Sequence, residues 1–210
     1  MRVRAGDWPR SPRTFHRVGI CGLAGLIVAV SAAAAPAAEP CDIEHLRQKY
    51  RDEDCRPRMT PAELAVGDAR TFTVFARCAD NWSGVQLSAG VHYELVAANV
   101  ADWCDSTINV TEGPRGYKDH PSWFMALGFF LARPFRRKAD AYWFQLIGGT
   151  SDEREALFPI CGSESPPGSC SLLRFTPQFG GELRAFANDL PITYSNNYGR
   201  VDLIVRRLPD

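Results

Sequence analysis

Phe186-Ala187-Asn188-Asp189-Leu190-Pro191-Ile192-Thr193-Tyr194-Ser195-Asn196-Asn197-Tyr198-Gly199 is an oxygen-rich stretch set between two apolar segments. Leu183, Ala185 and Ala187 alternate on the way in, and Val201, Leu203 and Val205 on the way out. That is the period of half-buried β-strands. Between them lie a carboxylate, two adjacent carboxamides, a threonine and a kinking proline. Two readings of the loop are open. Asn, Asp, Pro and Gly are the residues a long turn needs. The same residues also suit Ca²⁺, a hard cation that takes roughly six to eight oxygens from carboxylates, amides and carbonyls. Asp189, the Thr193 carbonyl, Asn196 and Asn197 could supply about half of such a shell.

Working outward, the β pattern extends over most of the chain. Phe72, Val74 and Ala76 alternate, Val85 and Leu87 follow, and Ser88-Ala89-Gly90 turns into Tyr93, Leu95 and Ala97. Residues 142–147 read as a dense strand ended by Gly148-Gly149, and residues 157–160 and 172–175 as two more. About eight or nine short strands separated by Gly and Pro turns, without alternating helices, predict an all-β sandwich. Ahead of it, Ile43, Leu46 and Tyr50 give residues 42–52 one apolar helical stripe. Thr60-Pro61-Ala62-Glu63 has capping-box spacing and predicts a further helical turn. Residues 122–131 predict a short helix that covers one end of the sandwich as core.

The N-terminal stretch reads as a secretory signal peptide. Five arginines precede an apolar run over residues 18–30, and Ala35-Pro36-Ala37 follows as a cleavage site. The expected organisation is therefore a signal peptide at 1–37, a helical segment at 38–69 and a β-sandwich domain at 70–210. The expected location is periplasmic or secreted. The apolar run is too short for a comfortable membrane span, and no later segment is long enough. Without residues 1–37, 19 of the 24 basic and 23 of the 24 acidic side chains remain, a formal charge of −4. Nucleic-acid binding, which wants a basic stripe, has no support. Arg133, Arg136, Arg137 and Lys138 cluster, but Asp140, Asp152 and Glu153 are near in sequence, and a solvated loop is expected.

Cys41, Cys55, Cys78, Cys104, Cys161 and Cys170 remain behind the leader, an even count that reads as three disulfides. Chain order predicts Cys41–Cys55, Cys78–Cys104 and Cys161–Cys170, the last closing a short loop around Pro166-Pro167-Gly168. No Cys-x₂-Cys or His-x₃-His spacing supports zinc. Catalysis finds no foothold either. Gly162-Ser163-Glu164-Ser165-Pro166 lacks the closing glycine of a nucleophile elbow, and His45, His92 and His120 form no visible triad.

Residues 188–199 reproduce every fixed position of Asn-Asp-x-Pro-x-Thr-Tyr-x-Asn-Asn-x-Gly, and Gly113-Pro114-Arg115-Gly116 with His120-Pro121 forms a second match. In these segments the chain resembles the LecA-like galactophilic lectins, calcium-dependent β-sandwich lectins of bacteria. A third stretch, residues 90–103, fits the strand whose last residue offers a calcium-binding carbonyl there. The resemblance implies a jelly-roll, galactose-binding-like domain with one Ca²⁺, two sugar hydroxyls completing the ion's shell. It assigns Asp189 as the carboxylate ligand, Asn196 and Asn197 as side-chain ligands, and Thr193 and Trp103 as main-chain carbonyl ligands. Asp189 and Asn196 would also meet the sugar. His120 matches the histidine that holds the sugar's primary hydroxyl, and Trp123 stands where the family has a glutamine, offering an indole that could stack on a sugar face. A galactose-type glycan is the first candidate partner.

Asp102 and Asp105 flank Trp103 and are expected as surface residues at a strand end, with carboxylates near the ion as the other reading. Asn81-Trp82-Ser83 and Asn109-Val110-Thr111 fit glycosylation sequons. The alternative to a lectin-like module is a structural or protein-interaction β-sandwich in which the loop is only a turn. Oligomerisation has no signature in the sequence.

Overall fold

The computed structural model describes residues 41–53, 55, 57–108, 113–117, 122–162, 170 and 172–209. The leader, His120, the Asn109 sequon and the 163–169 loop lie outside the described residues. The strands are β1 (Ala62–Glu63), β2 (Ala69–Phe75), β3 (Asn81–Leu87), β4 (Tyr93–Asp105), β5 (Leu146–Gly149), β6 (Leu157–Pro159), β7 (Leu173–Phe175), β8 (Gly181–Ala187) and β9 (Asn197–Arg207). Two short α-helices join them, α1 (Ile43–Lys49) and α2 (Trp123–Ala132).

The pairing is nested. β2 pairs with β9, β3 with β8, β4 with β7 and β5 with β6, all antiparallel. The contacts β9–β4 and β8–β5 roll this long double strand into two sheets, ordered β1-β3-β8-β5-β6 and β2-β9-β4-β7. Leaving β1 aside, that order is a jelly roll. The core lies between the sheets and holds the alternating residues of the sequence: Phe72 and Val74, Val85 and Leu87, Leu183 and Ala185, and Val201, Leu203 and Val205.

Several elements depart from expectation. Residues 60–63 form no helical turn. Ala62 and Glu63 instead lie parallel to Val85 and Gln86 on the open edge of β3, where a ladder satisfies backbone groups that one isolated turn would leave unpaired. Residues 142–145 precede the strand rather than belong to it. Phe144 is held at φ 57°, with its N–H donating to the Asn188 carbonyl at 2.9 Å. The strand then runs through the two glycines expected to end it. A Cβ on Gly148 would come within 2.7 Å of the Phe158 ring, so only glycine lets β6 pack across.

Of the basic cluster only Arg133 is exposed as expected. Arg136 is buried over the Trp143 ring, and Arg137 lies 3.6 Å over the Phe186 ring while bonding Asp80 and Asp152. Arg184 reaches the same two carboxylates from β8. The segment after α2 therefore straps the outer face of the β1-β3-β8-β5-β6 sheet. α2 itself departs in the opposite sense: none of its ten residues is buried, although Phe129 and Ala132 touch the core.

α1 forms where expected, with the Asp42 carboxylate capping His45 N–H at 3.1 Å. Leu46 and Tyr50 of its stripe bury against Cys104. This docking explains the disulfides. Cys161–Cys170 is as expected, but Cys41 pairs with Cys104 and Cys55 with Cys78, because α1 lies against β4 instead of folding back on its own chain. Three disulfides indicate an oxidising compartment. No helix of the described residues is long and apolar enough to cross a membrane.

Candidate functional site

The loop over residues 188–196 leaves the end of β8 and returns into β9, which begins at Asn197 itself. β4 ends beside it, with Asp105 directly opposite Asn197. Three devices hold the loop. The Asn188 amide donates to the Lys138 and Tyr142 carbonyls and accepts from Lys138 N–H. The Tyr194 hydroxyl donates to the Ala187 carbonyl at 2.7 Å, closing the base. Gly199 sits at φ 98°, where any Cβ would collide with the Asp102 carbonyl.

Four oxygen-bearing side chains meet at the top. Asp189 is buried and accepts from its neighbour Leu190 N–H at 2.7 Å through Oδ1 and from Asn197 Nδ2 at 2.9 Å through Oδ2. Asp105, only 5% exposed, accepts from Thr107 N–H at 2.8 Å and from Asn196 Nδ2 at 3.2 Å. Asn196 Nδ2 also donates to the Thr107 hydroxyl at 2.6 Å. Each amide nitrogen is thus tied to a carboxylate. The oxygens are not: Asn196 Oδ1 and Asn197 Oδ1 are both buried acceptors without a hydrogen-bond donor. Burial first, then the nearby Asp189 charge, pushes the Asp105 carboxyl up to about 6. The buried Tyr117 hydroxyl, raised first by desolvation and then by the charges of Asp105 and Asp189, lies beside the same pair.

The residues fit a calcium ion. Buried acceptors without donors and two like charges out of water are each costly, and one hard cation relieves both. Among the described residues no three His, Cys, Asp or Glu side chains gather for a metal. An ion here would rest on two carboxylates and neutral oxygens, the donor set of Ca²⁺ and not of zinc. The Thr193 carbonyl already accepts from Asn196 N–H at 3.1 Å, which leaves it one lone pair.

Of the residues expected at the site, Asp189, Asn196, Asn197 and Thr193 come together. Trp103 lies beneath them in the core, its indole donating to the Phe144 carbonyl at 2.9 Å. Asp105, expected at the surface, is buried in the cluster. Strand alternation was the signal, since residues 103 and 105 of one strand share a face. Asp102 serves elsewhere, bonding Lys49 and the Tyr50 hydroxyl to dock α1. Asn81 of the first sequon is buried, its amide bonded to Phe75 and Ala185.

A cavity of about 210 Å³ opens over the cluster. Asp105, Asp189, Thr193 and Asn196 line one side, and Phe124, Met125, Gly128 and Phe129 of α2 the other. Among the described residues it is Phe124, not Trp123, that reaches the cavity.

No family model and no curated protein matches the chain. A solved structure does. It is described as the EclA N-terminal domain, a PllA-like lectin, is 18% identical, and aligns over 66% of this chain and 95% of that one with a TM-score of 0.43.

Proposed function

We propose that the protein is an exported, lectin-like module that coordinates one Ca²⁺ and binds a glycan through it. The observation that carries this reading is the pair of buried, donorless amide oxygens on Asn196 and Asn197, beside two buried carboxylates. Asp189, Asp105, Asn196 and Asn197 would hold the ion by side chains, and Thr193 and Trp103 by main-chain carbonyls. Sugar hydroxyls would complete the shell from the cavity. The similarity of residues 188–199 to the LecA-like loop supports the same assignment. That the amides already bond the carboxylates favours a second reading, a structural module whose loop closes without an ion.

Calcium decides between them. An ion that binds only the native state raises its stability, by about 2.7 kcal/mol at one hundred times the dissociation constant. The thermal midpoint should rise with Ca²⁺, and Asp189→Ala should abolish the rise. An equal rise in the variant removes the site. A glycan array run with Ca²⁺ and with chelator then tests the sugar, galactose-type first. His120→Ala should weaken sugar binding a few-fold to about tenfold, the worth of one hydrogen bond, with Ca²⁺ affinity nearly unchanged. Silence across the array with Ca²⁺ bound makes the ion structural.

A further inference from the structure

α2 carries ten residues, Trp-Phe-Met-Ala-Leu-Gly-Phe-Phe-Leu-Ala, without a charge or hydrogen-bonding side chain apart from the Trp123 indole. At 100° per residue, Met125, Gly128, Phe129 and Ala132 share the side turned to the cavity and core. Trp123, Leu127, Phe130 and Leu131 form an i, i+4, i+7, i+8 stripe on the other side. That stripe has no cover among the described residues. Trp123, Phe124, Leu127, Phe130 and Leu131, with Phe135 just beyond the helix, are between 49% and 78% exposed. At roughly 150–250 Å² for a whole aromatic side chain, the six together present about 700 Å² of apolar surface. The largest apolar patch of an ordinary monomer is about 300–600 Å².

We infer that α2 is the contact of a two-fold dimer, and that its occupant is a second copy of this chain. Area is the first argument. A stable interface needs about 800 Å² from each partner, and the roughly 700 Å² of these six residues is most of that amount. Charge is the second. A symmetric contact sets a patch against itself, so any charge at its centre would meet its like, and this patch has none. The surroundings argue against a bilayer. A helix that lies on a membrane is flanked by several free cations for the headgroups, but here Arg136 is buried over Trp143, Arg137 is tied to Asp80 and Asp152, and Lys138 pairs with Asp140, which leaves Arg133 as the one exposed member of the cluster, its Nε on the Ala139 carbonyl. Because α2 also walls the cavity, the two-fold axis would bring both cavities to one edge, within about two helix diameters of each other.

Sedimentation velocity of the purified protein across a dilution series tests the inference without reference to sugar or calcium. The expected result is a species of twice the chain mass that dissociates on dilution. Phe130→Glu combined with Leu127→Glu should raise the dimer dissociation constant at least about a hundredfold, since symmetry doubles each lost contact. No residue of α2 is buried, so at a dilution where both proteins are monomeric the variant should melt at the wild-type midpoint, while at higher concentration only the wild type gains from association. Val66→Glu, an exposed apolar position elsewhere, should leave the dimer intact. A single-chain mass at every concentration overturns the inference, whether or not the protein pellets with phosphatidylcholine vesicles; pelleting would assign the stripe to lipid. A dimer that survives the double substitution overturns it too, by placing the contact on another face.

Discussion

Replacing Asp105 by Asn should stabilise the metal-free protein while weakening its response to Ca²⁺. The two effects have opposite signs and one cause. Asp105 is buried beside Asp189, and its carboxyl titrates at about 6 against an ordinary 3.8. At 1.36 kcal/mol per tenfold change in proton affinity, that gap corresponds to about 3 kcal/mol. The folded value is the raised one, so this stability is fully present below pH 3.8 and is lost as pH rises through about 6. At pH 7 without metal the wild type has lost all of it. The amide of the Asp105→Asn variant would keep the acceptor for Thr107 N–H and Asn196 Nδ2 without the charge, recovering up to about 3 kcal/mol, or roughly 6–12 °C in a chain of this size. With Ca²⁺ the balance inverts, because one of two anionic ligands is gone and affinity should fall at least about tenfold. Calorimetric unfolding at pH 5 and pH 7, each in chelator and in calcium, reads all four corners. An Asp105→Asn protein that melts lower than wild type in chelator, yet shows the full wild-type calcium shift, would refute the reasoning.

Asn188→Ala removes three side-chain hydrogen bonds from a fully buried position, and denaturant unfolding should show a loss of about 2–4 kcal/mol; a loss below about 1 kcal/mol would mean the loop is held without Asn188, by Tyr194 and Gly199. Replacing Cys41 and Cys104 together with Ala opens a bridge across 63 positions of sequence, which should cost about 4 kcal/mol by loop entropy. Peptide mapping of the unreduced wild type should return a Cys41–Cys104 fragment, and recovery of Cys41–Cys55 instead would overturn this docking of α1.

Strands were legible in the sequence wherever one face is buried. Phe72 and Val74, and Val201 through Val205, alternate because one side meets the core and the other meets solvent. The reading failed where both faces are covered or where packing overrides local preference. Residues 142–147 look like a strand, but the Asn188 carbonyl captures Phe144 N–H and turns the chain. Thr60-Pro61-Ala62-Glu63 has the letters of a helix start, but the open edge of β3 takes the segment. Nothing local to residues 133–138 says that the guanidinium groups of Arg136 and Arg137 will lie on Trp143 and Phe186. At the site, the oxygen-bearing residues of the loop that come together could be read, since they sit in one short motif. Alternation puts Asp105 on the same face as Trp103, but its place beside the loop follows from β4 ending against Asn197, a register that the motif does not contain. The disulfides failed for a related reason: proximity in sequence says little when a helix docks on a strand some sixty residues away.

The nesting that sets β9 between β2 and β4 bears on how the molecule is made. A jelly roll closes from both ends of its chain inward, so almost every pairing is long-range, and folds of that kind acquire their structure slowly. Until the last strand is present, β2 and β4 each keep a bare edge where it belongs, and such edges invite wrong partners. Asn197 is the first residue of that same strand. The cluster proposed to hold the cation therefore cannot be complete until β9 has paired with β4, so an intact cluster reports that this part of the sandwich has closed.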